Sequence, residues 1–395
     1  MSVKIGLDQL IGQSFLPLRG KTVGLVCNQA SVASNFRHVL EIFREQDALG
    51  VFHLKTVFGP QHGLYGHTQD NMIEWESGDI RPLPFRLYSL YGEHREPTPD
   101  MLEGLDCLVV DLQDVGSRYY TFIWTMALCL KACEALGIPV IVLDRPNPIN
   151  GVTVDGTVLD PSFASFVGLY PLPMRHGMTM SEIAEYLRGT YFPKANLVNV
   201  LMEGWDRTSY QDENKAPWAI PSPNMPTVDT AVVYPGGCLI EGTNLSEGRG
   251  TTRPFEIIGA SYLDGWKLAD RLNARNLPGV YFRALQFEPT FNKHGKRLCE
   301  GVFIHVLDRN IFSSVSVTVA LLQDVLSLAP SDFSWNSPPY EYEYNLLPID
   351  ILNGNEWLRE AIEAQLALSE IEARFRSEQD AFLPIRAQYL LYSQS

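Results

Sequence analysis

The chain has 395 residues, of which 31 are Lys or Arg and 46 are Asp or Glu, for a net charge of −15; 45% of the residues are apolar and 11% aromatic. This is ordinary globular composition, and folding at this length buries roughly 75% of the unfolded surface, so neither disulfides nor a structural metal is needed for stability. The acidic balance and the absence of Lys/Arg runs argue against nucleic acid as a partner, and no uncharged run reaches the ~18 residues that membrane insertion by a spanning helix requires.

The first 21 residues lack a basic n-region, and Asp8, Gly12, Gln13, Ser14 and Pro17 interrupt their apolar part, so they do not read as a signal peptide. Cys27, Cys107, Cys129, Cys133, Cys238 and Cys299 sit mostly in apolar stretches with no CxxC pair. Reduced, buried thiols in a cytoplasmic protein are the expectation, with Cys129 and Cys133 as core packing rather than metal ligands.

Over the first ~150 residues, short β-branched runs at Thr22–Cys27, Phe52–Phe58, Cys107–Asp111 and Pro139–Asp144 alternate with helical patterns at Ser34–Gln46 and Tyr120–Leu136. That order implies right-handed crossovers and a Rossmann-like, doubly wound parallel sheet, with ligands received at the carboxyl ends of the strands. There is no GxGxxG after the first strand and no GxxxxGK[ST] anywhere, so no nucleotide cofactor is expected. Prolines punctuate the chain after Gly151, and we expect one domain over 1–152 and a second, α/β domain over 153–395. Within the latter, helices are predicted over Met180–Arg188, Leu263–Arg275, Ser316–Leu328 and Glu356–Phe375, and strands over Val198–Met202 and Gly301–Leu307.

Several stretches carry more functional side chains than packing explains. In Glu241–Thr252, Glu241, Glu247 and Arg249 stand among three glycines and four hydroxyl residues. The glycines would let backbone N–H groups converge on an anion, whereas a capped surface turn is the structural alternative. Asp111, Asp114 and Arg118 follow a strand end. Asp111 suits either an Asp–Arg pair or the cleft, Asp114 and Arg118 suit a ligand, and Asp144 with Arg145 suits an ion pair holding a turn. His62, His67 and His176 lack the spacing of a zinc site, and no GxSxG elbow is present, so neither metal nor acyl-enzyme chemistry is expected. A polar cleft with carboxylates, Asn, Arg and aromatic rings such as Tyr119, Tyr120 and Trp218 remains. It suits carbohydrate, whose hydrolysis needs little beyond two carboxyl groups.

The strings FGPQHG (Phe58–Gly63), SLYG (Ser89–Gly92), DLQDVGSRYYTF (Asp111–Phe122), LDRPNP (Leu143–Pro148), RHGMTMSE (Arg175–Glu182), PSPNMPT (Pro221–Thr227) and EGTNLSEGRGTTRPFE (Glu241–Glu256) resemble the NamZ-type exo-β-N-acetylmuramidases. The resemblance implies a Rossmann-like domain, a second α/β domain and, between them, a cleft that removes N-acetylmuramic acid from the non-reducing end of peptidoglycan fragments. Gln61 departs from a common Glu in that pattern, and an amide neither protonates a leaving oxygen nor acts as a base. A catalytically silent sugar-binding protein is therefore the alternative. The essential carboxyl groups are expected among Glu93, Asp114, Glu241 and Glu247. Substrate contacts are expected from Gln61, His62, Arg118, Tyr119, Arg175, His176, Asn224, Asn244 and Arg249. Arg249 is the expected reader of the lactyl carboxylate, with Arg175 and Arg118 next.

Overall fold

The computed structural model describes residues 3–66, 73–75 and 85–393; His67 and Asp70 of the histidine-containing loop lie outside them. The first part of the chain runs α1 (Gly6–Gly12), β1 (Thr22–Cys27), α2 (Val39–Ala48), β2 (His53–Gly59), β3 (Arg86–Ser89), α3 (Pro99–Leu102), β4 (Cys107–Asp111), α4 (Phe122–Leu136) and β5 (Val140–Leu143). It continues through β6 (Asp155–Val158), β7 (Pro173–Arg175), α5 (Met180–Thr190) and β8 (Leu197–Val200). The β-branched runs pair in parallel in the order β3-β2-β1-β4-β5-β8. Apolar side chains cover both faces, as a parallel sheet requires.

The second part contains α6 (Val228–Gly237), β9 (Ile257–Ala260), α7 (Gly265–Ala274), β10 (Val280–Phe287), β11 (Cys299–Val306), α8 (Ser314–Leu328), α9 (Pro348–Asn353), α10 (Trp357–Glu363) and α11 (Leu368–Ala387). β10, β11 and β9 form an antiparallel sheet in that order. The fold is thus the expected α/β type, but the first sheet takes its last strand, β8, from well beyond residue 152. Change of unit at 152/153 would cut that sheet's connectivity.

Three local expectations need correction. Helix α2 starts five residues later than the pattern suggested, because Ser34 is bound by Asp8 and Phe36 adopts φ 63°. The His38 ring then caps the Leu40 amide. The helix expected over Glu356–Phe375 breaks into α10 and α11, where Gln365 turns left-handed (φ 53°). Asp144 and Arg145 do not pair with each other. Arg145 forks onto Asp111 at 2.6 and 2.9 Å, tying the ends of β4 and β5. Asp144 accepts from Thr179 Oγ1 (2.8 Å), the Ser181 amide (3.0 Å) and the Tyr392 hydroxyl. Burial outweighs these donors and pushes its carboxyl up to about 6. All six cysteines are buried and unpaired.

α6 meets the start of α8 backbone to backbone at Gly236, where an added Cβ would lie 1.9 Å from the Ser314 carbonyl oxygen. A contact with main chain cannot be relieved by a rotamer change. Gly236→Ala is expected to destabilise the fold by at least the roughly 1–3 kcal/mol of ordinary overpacking. Thermal unfolding followed by circular dichroism would read this as a lower Tm.

Candidate active site

The loop after β2 brings Gln61 and His62, both 7% exposed, to the floor of a junction between the first sheet and the C-terminal part. His62 is left-handed (φ 67°), and the carbonyl of Pro60 is fixed by Trp75 Nε1 at 3.0 Å. The Gln61 amide is read on both sides. Thr121 Oγ1 donates to its Oε1 at 2.7 Å, and its Nε2 donates to Tyr91 Oη at 3.1 Å and, more weakly, to Glu341 Oε1 at 3.5 Å. Tyr91 Oη in turn donates to Glu341 Oε2 at 3.0 Å.

Glu341 was missed in the sequence. It is 2% exposed. Burial pushes its carboxyl up to about 7, with the neighbouring Glu241 adding to the rise and Tyr91, Arg249 and Gln61 opposing it. The available signal was the string Tyr340-Glu341-Tyr342-Glu343 after two prolines, an alternation of rings and carboxyls that suits a sugar site.

The Glu241–Thr252 loop is not an anion cradle. Arg249 donates from Nη2 to Glu241 Oε1 at 2.6 Å, and its Nε lies 3.0 Å from Glu247 Oε1. Lys293 Nζ reaches Glu247 Oε2 at 3.0 Å, and Tyr340 Oη donates to Glu241 Oε2 at 2.7 Å. Burial opposes ionisation of Glu247, yet Lys293 and Arg249 outweigh it and hold the carboxyl below its usual range. The glycines serve the loop's own packing. Gly250, at φ 79°, lies so close to the main chain of Thr290 and Phe291 that a Cβ would stand 2.8–2.9 Å from it. Arg249 is therefore engaged by two carboxylates, through Nη2 and Nε.

Asp114 is 4% exposed. Its Oδ2 accepts the Gly116 amide at 2.7 Å and faces His176 Nε2 at 3.2 Å, while its Oδ1 has no hydrogen-bond partner among the described residues. His176 is fully buried, and its Nδ1 accepts the Met178 amide at 3.2 Å, while its Nε2 makes no hydrogen bond among the described residues. The loop that carries Asp114 also carries Thr121, so one segment reaches both His176 and Gln61. Asn224 is buried in a loop anchored through Asn28 Nδ2 and Gln29 Nε2, which both donate to the Pro221 carbonyl.

Other expected ligands are placed elsewhere. Glu93 has a side chain 89% exposed, with its carboxylate 3.7 Å from His94 Nε2. It belongs to the outer wall of a cleft of about 460 Å³ that also reaches Glu341. Arg118 is fully buried and donates to the carbonyls of Thr157, Leu172 and Leu352. Arg175 is buried and donates to the Ile149 carbonyl. Tyr119 Oη donates to the Pro235 carbonyl, and Asn244 pins the chain at Asp332 and Ser334. Arg118, Arg175, Tyr119 and Asn244 thus each bond to main-chain groups, whereas Glu93 faces solvent. Among the described residues no group of three or more His, Cys, Asp or Glu is arranged to hold a metal.

Two family models cover the chain. That of the exo-β-N-acetylmuramidase NamZ N-terminal domain matches residues 23–229, and that of the C-terminal domain matches 232–392. The peptidoglycan β-N-acetylmuramidase NamZ of Bacillus subtilis strain 168 is 41% identical over 395 aligned residues, which take in 99% of this chain and 91% of that protein. Among solved structures, one DUF1343 family protein of Bacteroides fragilis NCTC 9343 superposes with a TM-score of 0.88 at 31% identity, covering 99% of each chain. Another from the same organism gives 0.75 at 27% identity over the full length of both.

The placement of Arg118 separates a ligand role from a structural one. Arg118→Met strands three buried carbonyls at roughly 1 kcal/mol or more apiece. The expected result is a loss of about 3 kcal/mol in a denaturant melt, with an unchanged KM in the folded fraction. A raised KM at unaltered stability would instead put Arg118 on the ligand.

Proposed function

The chain belongs to the NamZ family of exo-β-N-acetylmuramidases, and from that premise we propose that it releases N-acetylmuramic acid from the non-reducing end of peptidoglycan fragments of the N-acetylmuramic acid–N-acetylglucosamine type. The observation that carries this reading is the buried Glu341 carboxyl, bonded to Tyr91 and Gln61 and raised to about 7. Glycoside hydrolysis needs one carboxyl that still holds a proton near neutrality and a second that is free to accept.

Glu341 is the proton donor to the leaving glycosidic oxygen, and it supplies what Gln61 lacks. Asp114 is the second group. Its Oδ1, without a hydrogen-bond partner among the described residues, is the acceptor that a water or the anomeric carbon meets, while the Gly116 amide fixes its other oxygen. Glu241 has both oxygens engaged, by Arg249 and Tyr340, so it contributes fixed charge beside the forming oxocarbenium ion rather than proton transfer. Glu247, clamped by Arg249 and Lys293, positions that charge. In cells the reaction belongs to salvage of cell-wall fragments in the cytoplasm, which the unpaired, buried cysteines support; fractionation that places the native protein outside the cytoplasm would refute this.

The direct test is release of free N-acetylmuramic acid from an aryl β-N-acetylmuramide by the purified chain. Steady turnover supports the hydrolase, and binding without turnover the silent sugar-binding alternative. Glu341→Gln and Asp114→Asn are each expected to lower kcat by about 100-fold or more, the usual share of a general acid or base. Since the protonated Glu341 is the active form, kcat/KM should fall about tenfold per pH unit above about 7. Tyr91→Phe removes a donor to the ionised form and should move this limb to higher pH. Gln61→Glu places a like charge beside Glu341 and should move it the same way; a profile indifferent to both changes would take the proton donor away from Glu341.

A further inference from the structure

Each guanidinium the sequence offered for the lactyl carboxylate is already engaged: Arg249 by two glutamates, Arg118 and Arg175 by main-chain carbonyls. An anionic sugar entering a protein of net charge −15 still needs a local cation. The cleft that reaches Glu341 contains one. Arg95 is the sole Arg or Lys among the described residues that line it. Its Cζ lies 4.0 Å above the Tyr342 ring and 5.8 Å from that of Phe166. Among the described residues no carboxylate is paired with it.

The neighbouring acids do not neutralise Arg95, because each is otherwise disposed. Glu96 is held by Lys131 at 2.7 Å, Glu343 accepts the amides of Tyr344 and Asn345 at 2.9 and 2.7 Å, and the Glu93 side chain is 89% exposed. A guanidinium lying on a ring keeps its in-plane N–H fork open at the edge, the geometry that a carboxylate takes. The ring beneath is itself anchored, since Tyr342 Oη donates to Glu74 at 3.1 Å. Tyr342 directly follows Glu341, so the ring beneath this cation and the carboxyl assigned as proton donor come from adjacent residues, and both line the same cleft as Arg95.

We propose that Arg95, stacked on Tyr342 in the cleft beside Glu341, binds the lactyl carboxylate that distinguishes N-acetylmuramic acid from N-acetylglucosamine. The proposal rests on the N-acetylmuramidase reading, but its test does not need turnover. Free N-acetylmuramic acid and N-acetylglucosamine are titrated into the wild-type chain and into Arg95→Met, which keeps the stem and loses the charge. The wild type is expected to bind the acidic sugar at least tenfold more tightly. Arg95→Met should lose that preference while its N-acetylglucosamine affinity and Tm stay unchanged. A variant that keeps the wild-type ratio overturns the assignment, as does a wild type with no preference. Should Arg95→Met fail to fold, Arg95→Lys keeps the charge without the planar fork. Its ratio should drop several-fold, and an unchanged ratio would count equally against the fork. A wild type that shows the preference but never releases N-acetylmuramic acid from the aryl glycoside would sink the hydrolase reading and leave Arg95 in place.

Discussion

Arg249 is the interaction on which the junction depends. A buried guanidinium costs several kcal/mol in lost hydration unless its neighbours compensate. Here Glu241 and Glu247 do so directly, and Lys293 balances the second carboxylate. Two cations and two anions thus enter the interior with no net charge. The cluster pins Glu241 next to Glu341, and its formation dictates the loop conformation, including the tight approach of Gly250 to residues 290 and 291. Removing one partner would leave a bare charge where water does not reach.

The same residue type is driven in opposite directions within one small volume. Glu247 faces two cations and is held below its usual range, whereas Glu341 faces a phenol, an amide and another glutamate and is held well above it. Neither outcome comes from the carboxyl itself. Low dielectric magnifies whichever partner each one has. Such a division of environments lets a single cleft keep a proton in one place and fixed negative charge in another.

Local patterns were legible and distant pairings were not. The strands at Thr22–Cys27 and Cys107–Asp111 announce themselves because burial on both faces demands continuous apolar runs. The engagement of Arg145 with Asp111 was open in the sequence only as an unassigned Asp–Arg pair. Gln61 and Glu341 stand 280 positions apart, so nothing in either string announces the other. Arg118 and Arg175, embedded in motif-like strings, donate to main-chain carbonyls, because a loop that must be held rigid beside a cleft needs many donors. Arg95 sits in an ordinary stretch, and only its position above Tyr342 singles it out. The reach of the first sheet past residue 152 has a similar origin: prolines mark irregular chain, but β8 rejoins the sheet through its pairing with β5, which no local pattern records.

The bond between Tyr392 and Asp144 has a consequence for synthesis. The two residues are separated by 248 positions, which a ribosome adding about 5–20 residues per second traverses in roughly 12–50 s. Through that interval, in the early part of which β8 is itself still to be made, the carboxyl at the end of β5 lacks one of its donors. Tyr392 is translated long after β8, so the bond that ties the end of β5 to the segment after α11 can form only once every strand of the first sheet has been made.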